Sequence, residues 1–562
     1  MKIARAIFLV VMILSACAPA PNLFGPTPRP PTPRPSTHTP GAASIPSPVG
    51  DPAETAEPQA SPTATTHIET LWMSPAVPAA LATQAQNLGL TLAHDSNSAA
   101  YRLAPDPKGD TLWIYALVAP FPSATDDVTF ADIQSAWQGG RAGPLDGTGA
   151  TPLAGIPLRM AESTARAFSA QWGEPAPGSV MIEPADEILD SAWKSRPSWA
   201  IIPFEDIQPK WKVLSVDGQS PLRKDFDAAK YPLKVSFSLS PSSVSGLPST
   251  NRDASKLTTV VMTGVTALVR LTAVTMNVKG ILYPGEEVRA VLREADIAHV
   301  SNEIPFYGGC PDPDPEDRKL VFCSPPRYID LLTDIGTDVV ELTGNHFADY
   351  GAQAMLETLD LYRVNNLPYY GGGENLLDAR KPLLIEKNGT KFAFIGCNYP
   401  DRGKFPTANE TRPGAAPCDY DFMTAQISEL HSQGYMVITT FQYTESDSQL
   451  PVEPQLTDFR RMADAGADVV SGSQAHMPQT MEFYKDSFIH YGLGNLFFDQ
   501  MGGVGTSSLK RREFLDRHVF YDGRYLGTEL LSYMLEDFSR PRLMTSGERL
   551  QFLLEYFKLS GW

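Results

Sequence analysis

Apolar and polar positions alternate along the second half of the chain in blocks that read as strand, helix, strand, helix. Leu257 to Met262 is a continuous apolar run of strand type, followed by helical periodicity over Gly285 to Glu294 and a strand at Ile297 to Val300. The pattern continues with a helix at Pro326 to Gly336, a strand at Val339 to Leu342, and a helix at Gly351 to Asn365. Then come a strand at Lys391 to Ile395, a helix at Asp419 to Ser432, and a strand at Met436 to Phe441. Leu456 to Ala465 reads as a helix, and Val469-Val470 and Ser487 to Tyr491 as strands. Strands this short, alternating with helices of ten residues or more, predict a layered α/β sandwich.

The first half is less regular. Pro75 to Leu88 predicts a helix, Leu112 to Val118 a strand, Phe130 to Trp137 a helix opened by Asp126-Asp127 and Thr129, and Ala200 to Pro203 a short buried strand. Ser240 to Ser255 is rich in Ser and Pro with little periodicity and reads as a linker. The expected divisions are 1–17, 18–66, 67–240, 241–256 and 257–562.

Composition adds compartment and excludes some partners. The chain has 562 residues and a net charge of −18. That balance disfavours nucleic-acid binding, which needs basic surface to displace counterions. An anionic ligand would need a local basic pocket. At the N-terminus Lys2 and Arg5 precede the apolar stretch Ile7 to Leu14, too short to span a bilayer. Leu14-Ser15-Ala16-Cys17 resembles a bacterial lipobox, which makes Cys17 the expected lipidation site and residues 1–17 the signal peptide. A plain secretory signal with an incidental cysteine is the alternative. Ala18 to Thr66 holds fourteen prolines and one aromatic residue, and so reads as an extended spacer between a lipid anchor and the folded part. The expected location is the extracytoplasmic face of the cell membrane.

Beyond Cys17 four cysteines remain: Cys310, Cys323, Cys397 and Cys418. An even number outside the cytosol predicts two disulfides. Three pairings are open, and short loops favour Cys310–Cys323 with Cys397–Cys418.

Polar motifs follow three of the apolar runs: Ser301-Asn302-Glu303, Thr343-Gly344-Asn345-His346 and Gly472-Ser473-Gln474-Ala475-His476. Polar groups at the C-terminal ends of buried strands converge on one crevice. Glu, Asn and two His there make an oxygen and nitrogen donor set for a metal.

Several of these stretches together resemble the CapA family of capsule and poly-γ-glutamate synthesis proteins. The markers are Ala295-Asp296-Ile297 leading to Asn302-Glu303, then Gly344-Asn345-His346-Phe347-Ala348-Asp349-Tyr350-Gly351, then Ala465-Gly466-Ala467-Asp468-Val469-Val470-Ser471-Gly472, and Tyr491-Gly492-Leu493-Gly494-Asn495. The resemblance implies a calcineurin-like metallophosphoesterase fold over about Leu257 to Ser560. It also implies metal-type ligands at the strand ends. Three are replaced here: Gly264-Val265 stands where Gly-Asp belongs, Gln442-Tyr443-Thr444 where His-Trp-Gly belongs, and Gln474-Ala475-His476 where His-x-His belongs.

What survives leaves two outcomes open. One divalent ion, Mn²⁺ or Zn²⁺, sits on Glu303, His346 and His476 with water, or no ion binds. The resemblance further implies catalytic roles for Asn345, His346 and Asp349 and substrate contacts for Gln442, Gln474 and Asn495. Any activity would be metal-dependent hydrolysis or transfer. Each residue also has a structural reading: His346 and Asp349 pair with each other, Glu303 meets Arg270, and Asn495 forms a left-handed turn. The first half resembles part of the phosphate-type periplasmic solute-binding proteins, through Thr129 to Gly139, Ala200 to Phe204 and Val213 to Gly218. It lacks their Ser-Gly-Ser turn. The expected partners are the membrane, through the lipid, and an anionic envelope polymer or a small ligand. The competing function is a non-catalytic ligand-binding lipoprotein.

Overall fold

A computed structural model describes residues 69–140, 155–242, 244–315, 319–399, 406–500 and 509–562. The stretches read as signal sequence and spacer, with Cys17, lie outside the described residues. His67–Trp562 forms one compact unit. No described helix is long and apolar enough to cross a membrane.

The second half is the expected layered sandwich. One nine-stranded sheet runs in the order Tyr369–Tyr370, Val339–Glu341, Ile297–Asn302, Leu257–Met262, Arg512–Tyr521, Arg524–Glu536 and Arg540–Leu543, with Val265–Thr266 and Asn495–Phe497 beside it. The first four are parallel and the last three antiparallel. The facing six-stranded sheet carries four parallel central strands, Thr390–Asn398, Tyr435–Gln442, Val469–Ser473 and Ser487–His490. Val260, Ile297 and Val339 of one sheet pack against Phe392, Phe394, Ile438 and Phe488 of the other in a shared core. Helices Arg270–Lys279, Ile329–Asp334 and Gly351–Val364 cover the outer face of the first sheet. Tyr420–Ser432 and Glu453–Ala465 cover the second. Both disulfides form as the short loops favoured, Cys310–Cys323 and Cys397–Cys418.

The first half is built on its own nine-stranded mixed sheet, centred on Thr111–Pro120. Helix Phe130–Trp137 begins where predicted. The Thr129 and Asp132 side chains there close a reciprocal cap. The two sheets are separate but their cores are continuous. Val519 and Leu526 of the long hairpin pack into the first core, and Phe121 packs among Phe483, Phe488 and Phe557 of the second. The segment read as a linker is hydrogen-bonded onto the sheet of the first half. The Asn251 amide bridges the backbone N–H and C=O of Ile114 at 2.8 and 2.9 Å.

Several elements differ from their sequence pattern. The helix expected from Gly285 starts at Arg289, after a tight turn at Tyr283–Gly285. Gly285 is buried so closely that a Cβ would lie 2.7 Å from Ile335. The hairpin Arg512–Tyr521 and Arg524–Glu536 and the helix Ser546–Leu559 were not expected at all. Arg512–Tyr521 is largely buried on both faces yet carries five ionisable residues within seven positions, so it shows no strand pattern. Ion pairs satisfy part of that charge, including Arg517 with Glu529 at 3.0 Å and with Glu294 at 3.2 Å.

Several ionisable groups are sealed between the layers. His299 meets the Tyr370 hydroxyl at 2.8 Å, and that hydroxyl meets Thr440 of the opposite sheet at 2.9 Å. His518 meets Thr528 at 2.8 Å. Burial pushes the imidazole of His299 down to about 3 and that of His518 down to about 4. Both stay neutral in the fold, while the unfolded chain protonates near 6.5. Their contribution is therefore complete above that value and is lost as pH falls below it. Stability should drop by roughly 1.4 kcal/mol per pH unit for each group between about pH 6 and 4. Denaturant titrations across that range check this, and replacing either histidine with Gln should flatten the slope. Glu513 has the opposite sign. Neither of its carboxyl oxygens has a hydrogen-bond partner among the described residues, and burial raises its pKa well above the ordinary value. Its stability is present at low pH and lost as pH rises past 4.5. Glu513→Gln should gain about 1–3 kcal/mol over wild type at pH 8 and little at pH 4.5, measured by the same titration.

Candidate functional site

The strand ends named by the sequence do meet. Gly344 is what lets two of them approach: a Cβ there would lie 2.2 Å from the carbonyl oxygen of Glu303. Glu303 and Asn345 come from the first sheet and Gln442 and Gln474 from the second. The amide nitrogen of Gln442 sits among three oxygens. It donates to Glu303 Oε1 and to Asn345 Oδ1, both at 3.2 Å, and to Gln474 Oε1. Ser473 Oγ donates to the other end of the same amide at 2.6 Å. That fixes its orientation, since turning the amide over would set oxygen against oxygen. Glu303 and Gln442 are each 1% exposed.

The imidazoles form a second group. His346 Nδ1 lies 2.6 Å from Asp349 Oδ2, the same oxygen that accepts the backbone N–H of Phe322 at 2.8 Å. His476 Nδ1 lies 2.9 Å from Asn495 Oδ1. Burial pushes His476 down to about 3; the bond to Asn495 opposes this, and the charges of Lys510, His346 and Arg270 add to it. It is neutral at physiological pH. Gln474 and His476 both adopt left-handed backbone, with φ of 88° and 53°. Such geometry in residues with a Cβ is costly and gathers at sites held by their surroundings.

An apolar cover closes the crevice. Val265, Phe322 and Phe498 belong to one buried cluster. The ring of Phe322 lies 4.4 Å from that of His346, and the ring of Phe498 lies 5.2 Å from that of His476. Arg270 lies 5.1 Å over both phenyl rings and is paired with Asp499.

These contacts correct two structural readings. Glu303 does not meet Arg270, because Asp499 takes that guanidinium. Asn495 is not a left-handed turn residue: Gly494, at φ 92°, makes the turn, and Asn495 opens a strand and holds His476. The pairing of His346 with Asp349 is as expected. The cover was missed altogether. Its one sequence signal is position, Phe322 beside the disulfide Cys323 and Phe498 beside Asp499.

A family profile described as "Bacterial capsule synthesis protein PGA_cap" matches residues 259–500, a span that contains every strand end of the crevice. Residues 259–500 are a CapA-family domain. The PGA biosynthesis protein CapA of Bacillus subtilis (strain 168) is 32% identical over 186 residues, 33% of this chain and 48% of the relative. The capsule biosynthesis protein CapA of Bacillus anthracis is 28% identical over 189 residues, 33% of this chain and 46% of that one. The chain thus spans about half the length of these two relatives. Among solved structures, the NAD nucleotidase NadN of Haemophilus influenzae matches 54% of this chain and 56% of its own, at 9% identity and a TM-score of 0.32. An ABC-type phosphate transport receptor from Vibrio cholerae matches 30% and 84%, at 12% identity and a TM-score of 0.25. Scores this low carry no argument about function.

The CapA-type crevice does not fit a two-metal centre. Two ions need bridging carboxylate charge and imidazole or carboxylate ligands. Val265 offers no donor atom, and the Gln442 amide points its hydrogens at the oxygens a cation would need. Among the described residues no group of three or more His, Cys, Asp or Glu is arranged to hold a metal ion.

The Gln442 amide thus binds the two sheets at their common edge. Gln442→Leu should cost about 2–4 kcal/mol, because it strips a shared donor from three buried oxygens. The isosteric Gln442→Glu should cost more at pH 7, because it sets a second carboxyl against Glu303, and should recover as pH is lowered. Urea denaturation of both variants at pH 5 and 7 measures this.

Proposed function

We propose that this chain is a lipid-anchored, extracytoplasmic CapA-like protein that handles an anionic envelope polymer, poly-γ-glutamate or a related capsule chain, without two-metal hydrolysis. The class is supported by the CapA-family domain and by what the two Bacillus relatives are called. The location is supported by the lipobox-like Leu14-Ser15-Ala16-Cys17 and the proline-rich spacer behind it.

The observation that carries the chemical part is the Gln442 amide nitrogen surrounded by the oxygens of Glu303, Asn345 and Gln474. The two N–H bonds of this uncharged amide are shared among the three buried oxygens and stand where a cation would otherwise lie. His346 and His476, held by Asp349 and Asn495, then serve as fixed, hydrogen-bonding walls of the crevice. The reading favours an accessory that holds or guides its polymer rather than one that cuts it.

Metal analysis tests it. Purified chain incubated with Mn²⁺ or Zn²⁺ and then dialysed should retain substoichiometric metal and leave the length of poly-γ-glutamate unchanged. The combined variant Val265→Asp, Gln442→His, Gln474→His should retain at least one ion per chain. Stoichiometric metal in the wild type that disappears in His346→Ala and His476→Ala would overturn the metal-free reading.

A further inference from the structure

The junction between the first sheet and the sandwich encloses a cavity of about 370 Å³ far along the chain from any crevice residue. One wall comes from the first half, through Phe121, Asp126 and Lys212. The other comes from the hairpin and last helix, through Leu530, Arg549 and Leu553. The volume suits a small organic molecule, and sites of this kind favour such junctions.

The charges lining it do not balance locally. Asp126 accepts from Lys212 at 2.7 Å and from Arg549 Nε and Nη2, both at 2.8 Å. One carboxylate thus serves two cations. The acids on the facing side leave nothing over to offset the excess, because Glu529 and Glu294 are each shared by Arg223 and Arg517.

Donors are also left over. The Lys212 ammonium has three N–H bonds and two acceptors among the described residues, Ser123 O and Asp126 Oδ1, both at 2.7 Å. The Arg549 guanidinium has five, and four are used: two on Asp126, one on the Leu530 carbonyl and one on Ser532 Oγ. The Asp126 side chain is 52% exposed, but Lys212 and Arg549 are only 16% and 19% exposed, so the surplus donors lie just inside the mouth, while Phe121 and Leu553 line the interior at 2% and 1% exposure. Burial, the largest influence on Lys212, depresses its pKa, as expected of a cation short of partners.

We propose that this cavity binds a small organic monocarboxylate with an apolar body. The carboxylate takes the spare N–H groups of Lys212 and Arg549 beside Asp126, and the body lies against Phe121, Leu530 and Leu553. A single negative charge matches the single surplus positive one. The inference is independent of the metal-free reading of the crevice.

Octanoate is a suitable probe, with octan-1-ol and octylammonium as charge controls, titrated calorimetrically into the purified chain. Octanoate should bind with one site per chain, and each control should bind at least about tenfold more weakly. Lys212→Met should weaken octanoate by about tenfold, the cost of one charged contact. Ser546→Trp, at an exposed position on the cavity's rim, should obstruct entry without disturbing the core. It carries the test if Lys212→Met does not fold. No binding of octanoate, equal binding of octan-1-ol, or octanoate affinity unchanged in the folded variants would each overturn the proposal.

Discussion

A carboxyl group buried to 1% exposure between two β-sheets needs a donor from across the gap, and Glu303 obtains it from Gln442. The rest of the crevice is arranged around that contact. Asn345 and Gln474 share the same amide nitrogen, and Ser473 turns the amide so that its hydrogens face inward. A buried polar group without such a partner costs a few kcal/mol, so the four side chains are coupled: removing one leaves the others exposed to that cost. The two sheets are thereby held in register at the edge where their strands end.

Closure of the crevice is built from chemistry of a different kind. Phe322 is carried by the loop that Cys310–Cys323 staples, and Phe498 by the segment that Asp499 anchors to Arg270. The guanidinium lies over both rings, so one cation ties the cover to the wall. Backbone strain at Gln474 and His476 is sustained by this packing. The result is a buried crevice whose polar residues are flanked by aromatic rings.

The hairpin Arg512–Tyr521 and Arg524–Glu536 explains why the chain does not separate into two independent bodies. It extends the first sheet of the sandwich by antiparallel pairing and offers its far face to the first half. The ion pair of its Glu529 with Arg223 and the aromatic seat of Phe121 among Phe483, Phe488 and Phe557 lock that contact. The cavity lies along the same surface, so a ligand there would brace the junction.

Local pattern by itself determined most of the strand and helix succession between Leu257 and Tyr491, because most strands there are short apolar runs and most helices keep their own period. Leu257 to Met262 and Phe130 to Trp137 agree with the structure to the residue. It also located Glu303, Asn345, His346, Gln474 and His476 at strand ends, since the polar residue that follows a buried strand must lie at the sheet's edge; Gln442 was reached through the resemblance to the CapA family. Tertiary structure decided everything that depends on partners distant in the chain. It put Arg270 on Asp499, 229 residues away in sequence. It made Arg512–Tyr521 a strand in spite of its charges, pairing Arg517 with Glu529 and Glu294 and Arg512 with Glu555. It brought the Gln442 amide into the place of a cation, a role that depends on three oxygens arriving from both sheets and that no stretch of sequence near Gln442 records.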